Sequence, residues 1–134
     1  MSDAVSYWGP LCTLVQQLRC WVRMAYRSHG ETLTGRWGQL LKMPTNSYLE
    51  VSDAVVPVAD VEWVEVSTKS VFGGIAGRPL RLVEIKDDVV SGVREAGVTW
   101  DLREGIWSVD GIFDNERLQM VRVLNPFGPT PAKP

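Results

Sequence analysis

The 134-residue chain is 45% hydrophobic and 22% charged, the balance of one folded domain and not of a disordered segment. A formal net charge of -2 and a pI near 5.4 stand against a dedicated nucleic-acid binder, which is usually basic. No apolar run approaches the ~18 residues of a membrane span, and "MSDAVSYW" lacks the regions of a signal peptide, so a cytoplasmic protein is expected.

In chain order, residues 7–28 read as a long helix. On a helical wheel Tyr7, Leu11, Leu14, Val15, Leu18, Trp21, Val22, Ala25 and Tyr26 share one apolar arc, with Trp8 at its edge. Gly9 and Pro10 fit its first turn and Gly30 its stop. Arg19, Arg23 and Arg27 then form a basic stripe with no acid among them, a repulsive spacing that asks what this face meets. Cys12 and Cys20 on one helix would stand about 12 Å apart at ~1.5 Å per residue, so free thiols are expected, as in a reducing compartment.

Residues 31–43 fit a helix by the spacing of Leu33, Trp37, Leu40 and Leu41, but Gly35 and Gly38 oppose it and Pro44 ends it. "SYLEV", "DVEWVEV" (60–66) and "LRLVEI" (80–85) read as strands from their β-branched and aromatic content. "SVFGGIAGRP" between the last two reads as a flexible loop. Asp87 or Asp88 can cap a short helix carrying Val89, Val90, Val93 and Ala96 on one side, with Gly97 as its stop. "GIWSVDGIF" (105–113) and "RLQMVRVL" (117–124) read as a hairpin turning at "DNE". The expected fold is α+β: a long N-terminal helix packed on a mostly antiparallel sheet, with a short second helix and a C-terminal β-hairpin. Residues 1–125 form the expected domain, and 126–134, rich in proline, a flexible tail.

Charge is unevenly distributed. Residues 43–66 hold no Lys or Arg and five acids, Glu50, Asp53, Asp60, Glu62 and Glu65. The basic stripe can meet this acidic segment inside the fold, or one of the two can face a partner. If 60–66 is an edge strand, Asp60, Glu62 and Glu65 with Trp63 present an acidic, aromatic face to a basic partner, or form a solvated edge that only prevents aggregation. Asp110, Asp114 and Glu116 form a second acidic cluster, read as a solvated hairpin in preference to a carboxylate pair for catalysis.

Catalytic signals are sparse. The single histidine, His29, reads as a surface residue at the end of the first helix. One His and two separated Cys cannot build a His/Cys zinc site, and no metal or cofactor is expected. The arginines near Cys12 and Cys20 would favour a reactive thiol, although a small apolar role suits both better. "GGIAG" (73–77) lacks the Lys-Ser/Thr of a phosphate-binding loop.

In length, acidity, "DVEWVEV", the short helix and then "GIWSVDGIF", the chain resembles the small immunity proteins of bacterial toxin–immunity pairs. The resemblance implies a cytoplasmic α+β protein that binds and blocks a cognate toxin domain; the acidic groups point to a basic surface on that partner, and no catalysis, cofactor, nucleic acid or membrane is expected. The expected contacts are Glu50, Asp53, Asp60, Glu62, Trp63 and Glu65, then Asp110, Asp114 and Glu116. The competing readings are a small enzyme or ligand-binding domain with a pocket near the Gly-rich loop, and a chaperone or adaptor of a secreted protein.

Overall fold

The computed structural model describes residues 4–38, 47–52, 54–72, 76–77, 81–109 and 113–128, with side chains described at neither 71–72 nor 107–109 nor 113–116. The architecture is α+β with a mostly antiparallel sheet. The elements run α1 (Ala4–Leu18), β1 (Cys20–Ser28), β2 (Glu31–Thr34), β3 (Tyr48–Val51), β4 (Ala54–Pro57), a 3-10 turn (Val58–Asp60), β5 (Val61–Phe72), β6 (Arg81–Glu84), α2 (Lys86–Ala96), β7 (Trp100–Val109) and β8 (Phe113–Leu124). The main sheet has the order β2-β1-β5-β8-β7, with β6 also paired to β5, and every pairing is antiparallel. β3 and β4 form a separate hairpin.

The expected helix over 7–28 is corrected to a 15-residue helix followed by a strand. Arg19, in the left-handed region at φ 54°, ends α1, and β1 starts at the next residue. A spacing of four residues marks one side of a strand as well as one side of a helix, so Arg23 and Arg27 satisfy both patterns. In β1, Val22 and Met24 join the helix-side core while Arg23 stands on the far side of the sheet. Pro10 lies inside α1 and not in its first turn, because the helix begins at Ala4. The helix considered over 31–43 is replaced, as far as Gly38, by β2 and a bridge in which Gly38 exchanges both backbone hydrogen bonds with Val22, at 2.7 and 2.9 Å.

The core lies between the helices and one side of the sheet. Trp8, Leu11 and Val15 of α1 and Val89 and Val93 of α2 bury against Val22, Met24, Val64, Val66, Val121 and Val123. The helices meet so closely at Gly92 that a Cβ there would come within 2.5 Å of Leu14 Cδ1. α2 ends at Gly97 with φ 71° as expected, while its N-cap is Ile85 and Asp87 and Asp88 occupy its first turn without a capping bond. The far side of the sheet buries a second set, Trp21, Ala25, Trp63, Leu118 and Met120, which lies outside the helix-side core.

The C-terminal hairpin is present with a different turn. Val109 pairs with Phe113, so Asp114 and Glu116 belong to β8 and not to a turn. Residues 110–112 between the strands lie outside the described residues; in the sequence Asp110-Gly111 carries a turn signal as strong as the one at 114–116. Of the tail, Phe127 packs on the core and edge-on to Tyr7 at 5.8 Å, and 129–134 lie outside the described residues. Among the described residues, no helix is long and apolar enough to cross a membrane.

Candidate functional site

β5 is the centre of the sheet, flanked by β1 and β8, and not an edge. This decides the fate of three expected contact residues. Glu62, Trp63 and Glu65 are buried, so the exposed acidic face expected of 60–66 does not form around them. Arg23 Nε donates to Glu65 Oε1 at 2.7 Å, and Arg122 donates to Glu65 Oε2 through Nε at 3.1 Å and Nη2 at 2.9 Å. Arg27 Nε and the Thr32 hydroxyl donate to Glu62 Oε1 at 3.0 and 3.3 Å. The Arg122 guanidinium lies 4.2 Å from the Trp63 ring centre, and that of Arg23 lies 4.7 Å from the ring centre of Trp37. The basic stripe therefore meets the acidic segment inside the fold, strand against strand, at Arg23 and Arg27.

Glu50 and Asp60 have a different setting. β3 and β4 pair with Tyr48 opposite Pro57 and Glu50 opposite Val55, so these four share the outer side of the hairpin while Leu49, Val51 and Val56 bury the inner side. The stretch "LEVS" (49–52) alternates apolar and polar residues, and Ser52 takes φ 58° at the turn. Tyr48 is 53% and Val55 60% exposed, an unusual setting for side chains of this size. Beside them opens a cleft of about 440 Å³, lined by Val55, Val56, Pro57 and Asp60 on one wall and Tyr26, Arg27, Ser28, His29 and Gly30 on the other.

Each wall is fixed by backbone chemistry. Ser28 pairs with Glu31, leaving His29-Gly30 as a two-residue loop with φ 52° and 81°, the type I′ geometry that matches the twist of paired strands. On the other wall, buried Asn125 donates from Nδ2 to the carbonyls of Val58 and Val61, at 2.7 Å each. These bonds pin the 3-10 turn that carries Asp60 into the cleft. The Asp60 carboxylate makes no hydrogen bond or ion pair among the described residues. Gly38 ties this hairpin to the main sheet: a Cβ there would overlap the Ser52 hydroxyl.

Of the other expected contacts, Asp53 and Asp110 lie outside the described residues, as do 73–75 and 78–79 of the Gly-rich loop, whose first residues, 70–72, belong to β5 instead; Asp114 and Glu116 are placed on β8 by backbone alone. The structure thus brings Asp60 to the cleft and Glu50 beside it, and separates both from Glu62 and Glu65. Val55 is a cleft residue that the sequence reading passed over, and His29, expected at the end of a helix, lines the cleft from the loop between β1 and β2. The signal for Val55 was the second half of the hairpin, "AVVP", and for the place of His29 the dipeptide His-Gly between two strand-forming segments.

Neither thiol is activated. Cys12 and Cys20 are buried and form no disulfide; burial raises the pKa of Cys12 and pushes Cys20 up to about 12, away from thiolate chemistry at neutral pH. Burial likewise raises the Tyr7 phenol, which donates to the Leu124 carbonyl at 2.5 Å and accepts from the Thr99 N–H at 3.1 Å. Among the described residues, no three of His, Cys, Asp and Glu converge to hold a metal ion.

No protein-family model, curated protein or solved structure matches this chain.

Proposed function

We propose that this chain is a non-catalytic protein-binding module, and that it acts in the cytoplasm as an immunity protein that neutralises a bacterial toxin domain by binding and occlusion. One observation supports the protein-binding part above all: Asp60, without a partner among the described residues, borders the same cleft as Val55, 60% exposed. An unspent carboxylate beside exposed apolar surface supplies steering from the one and desolvation energy from the other. The toxin part draws on the resemblance in length, acidity and element order.

In this reading the contact set narrows. Glu62 and Glu65 are spent on Arg27, Arg23 and Arg122, which leaves Asp60 as the acidic contact in the cleft, with Glu50 on the hairpin at its border. A Lys or Arg of the partner meets Asp60, while an apolar side chain covers Val55 and Tyr48. Site-specific photo-crosslinking tests this in the native cell, with a photoreactive residue at position 55 and a control at Ser91 on the exposed surface of α2. The expected result is one dominant adduct from position 55 and none from position 91. Equal adducts at both positions, or none at 55, would overturn the proposal.

A further inference from the structure

β7 is a terminal strand of the sheet, and its outer edge pairs with no strand among the described residues. Edges of this length are usually shortened, bulged or covered, because their unpaired backbone groups template further pairing. Asp101, Leu102, Arg103 and Glu104 are all exposed, Leu102 by 41%, and Ile106 on the same side as Leu102 by 60%. The Leu124 N–H donates to the Thr99 carbonyl, which fixes the phase of the ladder. Odd residues of β7 spend their N–H and C=O groups on β8, and the even residues Trp100, Leu102 and Glu104 direct theirs outward.

From this edge we propose that two copies of the chain associate through β7, antiparallel about a two-fold axis at Leu102. A two-fold axis perpendicular to the sheet sets each residue opposite one of the same side, so only a few registers exist, and among those centred within the charged stretch 101–104 charge selects one. Centring on Asp101 or on Arg103 sets like charges against each other. Centring on Leu102 places Asp101 opposite Arg103 of the second copy, and Arg103 opposite Asp101 of the second copy. These are the pairs without mutual backbone bonds, in which side chains approach most closely. The same register sets Leu102 against its own counterpart and Trp100 against Glu104 of the second copy, with the outward backbone groups of 100, 102 and 104 all paired. The pairing covers Leu102, while Ile106 comes to lie opposite position 98 of the second copy, beyond the end of β7, where Val98 is itself buried. Within one chain, Asp101 and Arg103 already bond each other at 2.9 Å, half-exposed on both sides, and the association exchanges these bonds for the intermolecular ones.

Analytical ultracentrifugation of the full chain over a concentration series tests the register itself. The wild type is expected to show a monomer–dimer equilibrium that weakens with salt. Asp101→Arg and Arg103→Asp each turn both unlike pairs into like ones, and each should raise the dissociation constant about tenfold or more. Mixing these two variants recreates unlike pairs at every position, so the mixture should associate while each alone does not. A wild type that stays monomeric throughout, or single variants that associate as the wild type does, would overturn the proposal. So would a mixture no better associated than its components. If circular dichroism shows either variant to be unfolded, Leu102→Lys, which places two lysines together on the axis, replaces it: loss of the dimer is expected, and persistence of the dimer overturns the register.

Discussion

Glu65 and Arg23 stand directly opposite each other in the β1–β5 register, and the Arg23 Nε–Glu65 Oε1 bond of 2.7 Å closes the gap between the strands. Arg122 occupies the equivalent position on β8, so one buried carboxylate holds two guanidiniums that remain 24% and 23% exposed. A central carboxylate between two partly solvated arginines costs its hydration and regains it through these bonds. Glu65→Gln removes the charge and leaves both arginines unneutralised. It should cost about 3 kcal/mol in urea denaturation, the low end for a broken buried pair because the guanidiniums keep some water. The triple substitution Arg23→Met, Glu65→Leu and Arg122→Met should cost less than Glu65→Gln alone. A loss below about 1 kcal/mol for Glu65→Gln would show that the cluster is not a strong coupling.

The element that misled the sequence reading is also the one that built this cluster. In 19–27 the arginines recur every fourth residue, a spacing that serves a helix and a strand equally, and the apolar arc of the wheel extends smoothly across the break at Arg19. Nothing local distinguishes the two; the long-range pairing of Arg23 with Glu65 and of Val22 with Val66 does. The two helices, the antiparallel sheet and the Gly97 stop were legible, because each rests on local periodicity or a special backbone angle. The acidic segment was legible as charge but not as position. Asp60 and Glu62 are two residues apart, and only the place of β5 at the centre of the sheet sends Glu62 inside while Asp60, in the preceding turn, lines a cleft.

Two glycines should respond differently to a methyl group. At Gly128 a Cβ would overlap the Val61 carbonyl oxygen, part of the backbone, whereas at Gly92 it would meet the tips of Leu14, which can rotate. Gly128→Ala should therefore cost about 2 kcal/mol, as overpacking against an immobile neighbour does. Gly92→Ala should cost less, since alanine regains close to 1 kcal/mol of helix propensity against the strain at Leu14. Thermal unfolding of the two variants gives the ranking, and equal losses would place the close approach elsewhere.

The His29-Gly30 loop sets the far wall of the cleft. Gly30 at φ 81° has nothing within 4 Å of an added Cβ, so Gly30→Ala is opposed by backbone angle alone and should cost about 1 kcal/mol. His29→Asn suits a positive φ better and should be neutral or slightly stabilising. A destabilising His29→Asn would mean that the imidazole itself supports the wall.

Stability should fall in alkali through Cys20. Its thiol is raised by burial from 9.0 to about 12, so on raising the pH the unfolded chain loses this proton first. The contribution is complete below about pH 9 and is lost progressively towards pH 12, by up to about 1.4 kcal/mol per pH unit. Tyr7, raised from 10.0, acts in the same direction at higher pH. Urea unfolding at about pH 8 and about pH 10 should show the wild type losing roughly 1 kcal/mol more than Cys20→Ala loses over the same interval. Parallel losses would remove Cys20 as the cause.

The central claim is that the cleft between the β3–β4 hairpin and the His29-Gly30 loop binds a protein. Its most direct test is capture of partners from the native lysate by the tagged wild type and by folded Val55→Glu and Asp60→Lys variants, at low and high salt, read by mass spectrometry. The account predicts one stoichiometric partner for the wild type, with a basic contact surface and a toxic activity that the wild type suppresses. High salt should weaken its capture, and both variants should lose it. Capture unchanged by Val55→Glu and Asp60→Lys, or no specific partner for the wild type when neighbouring genes are expressed, would contradict it.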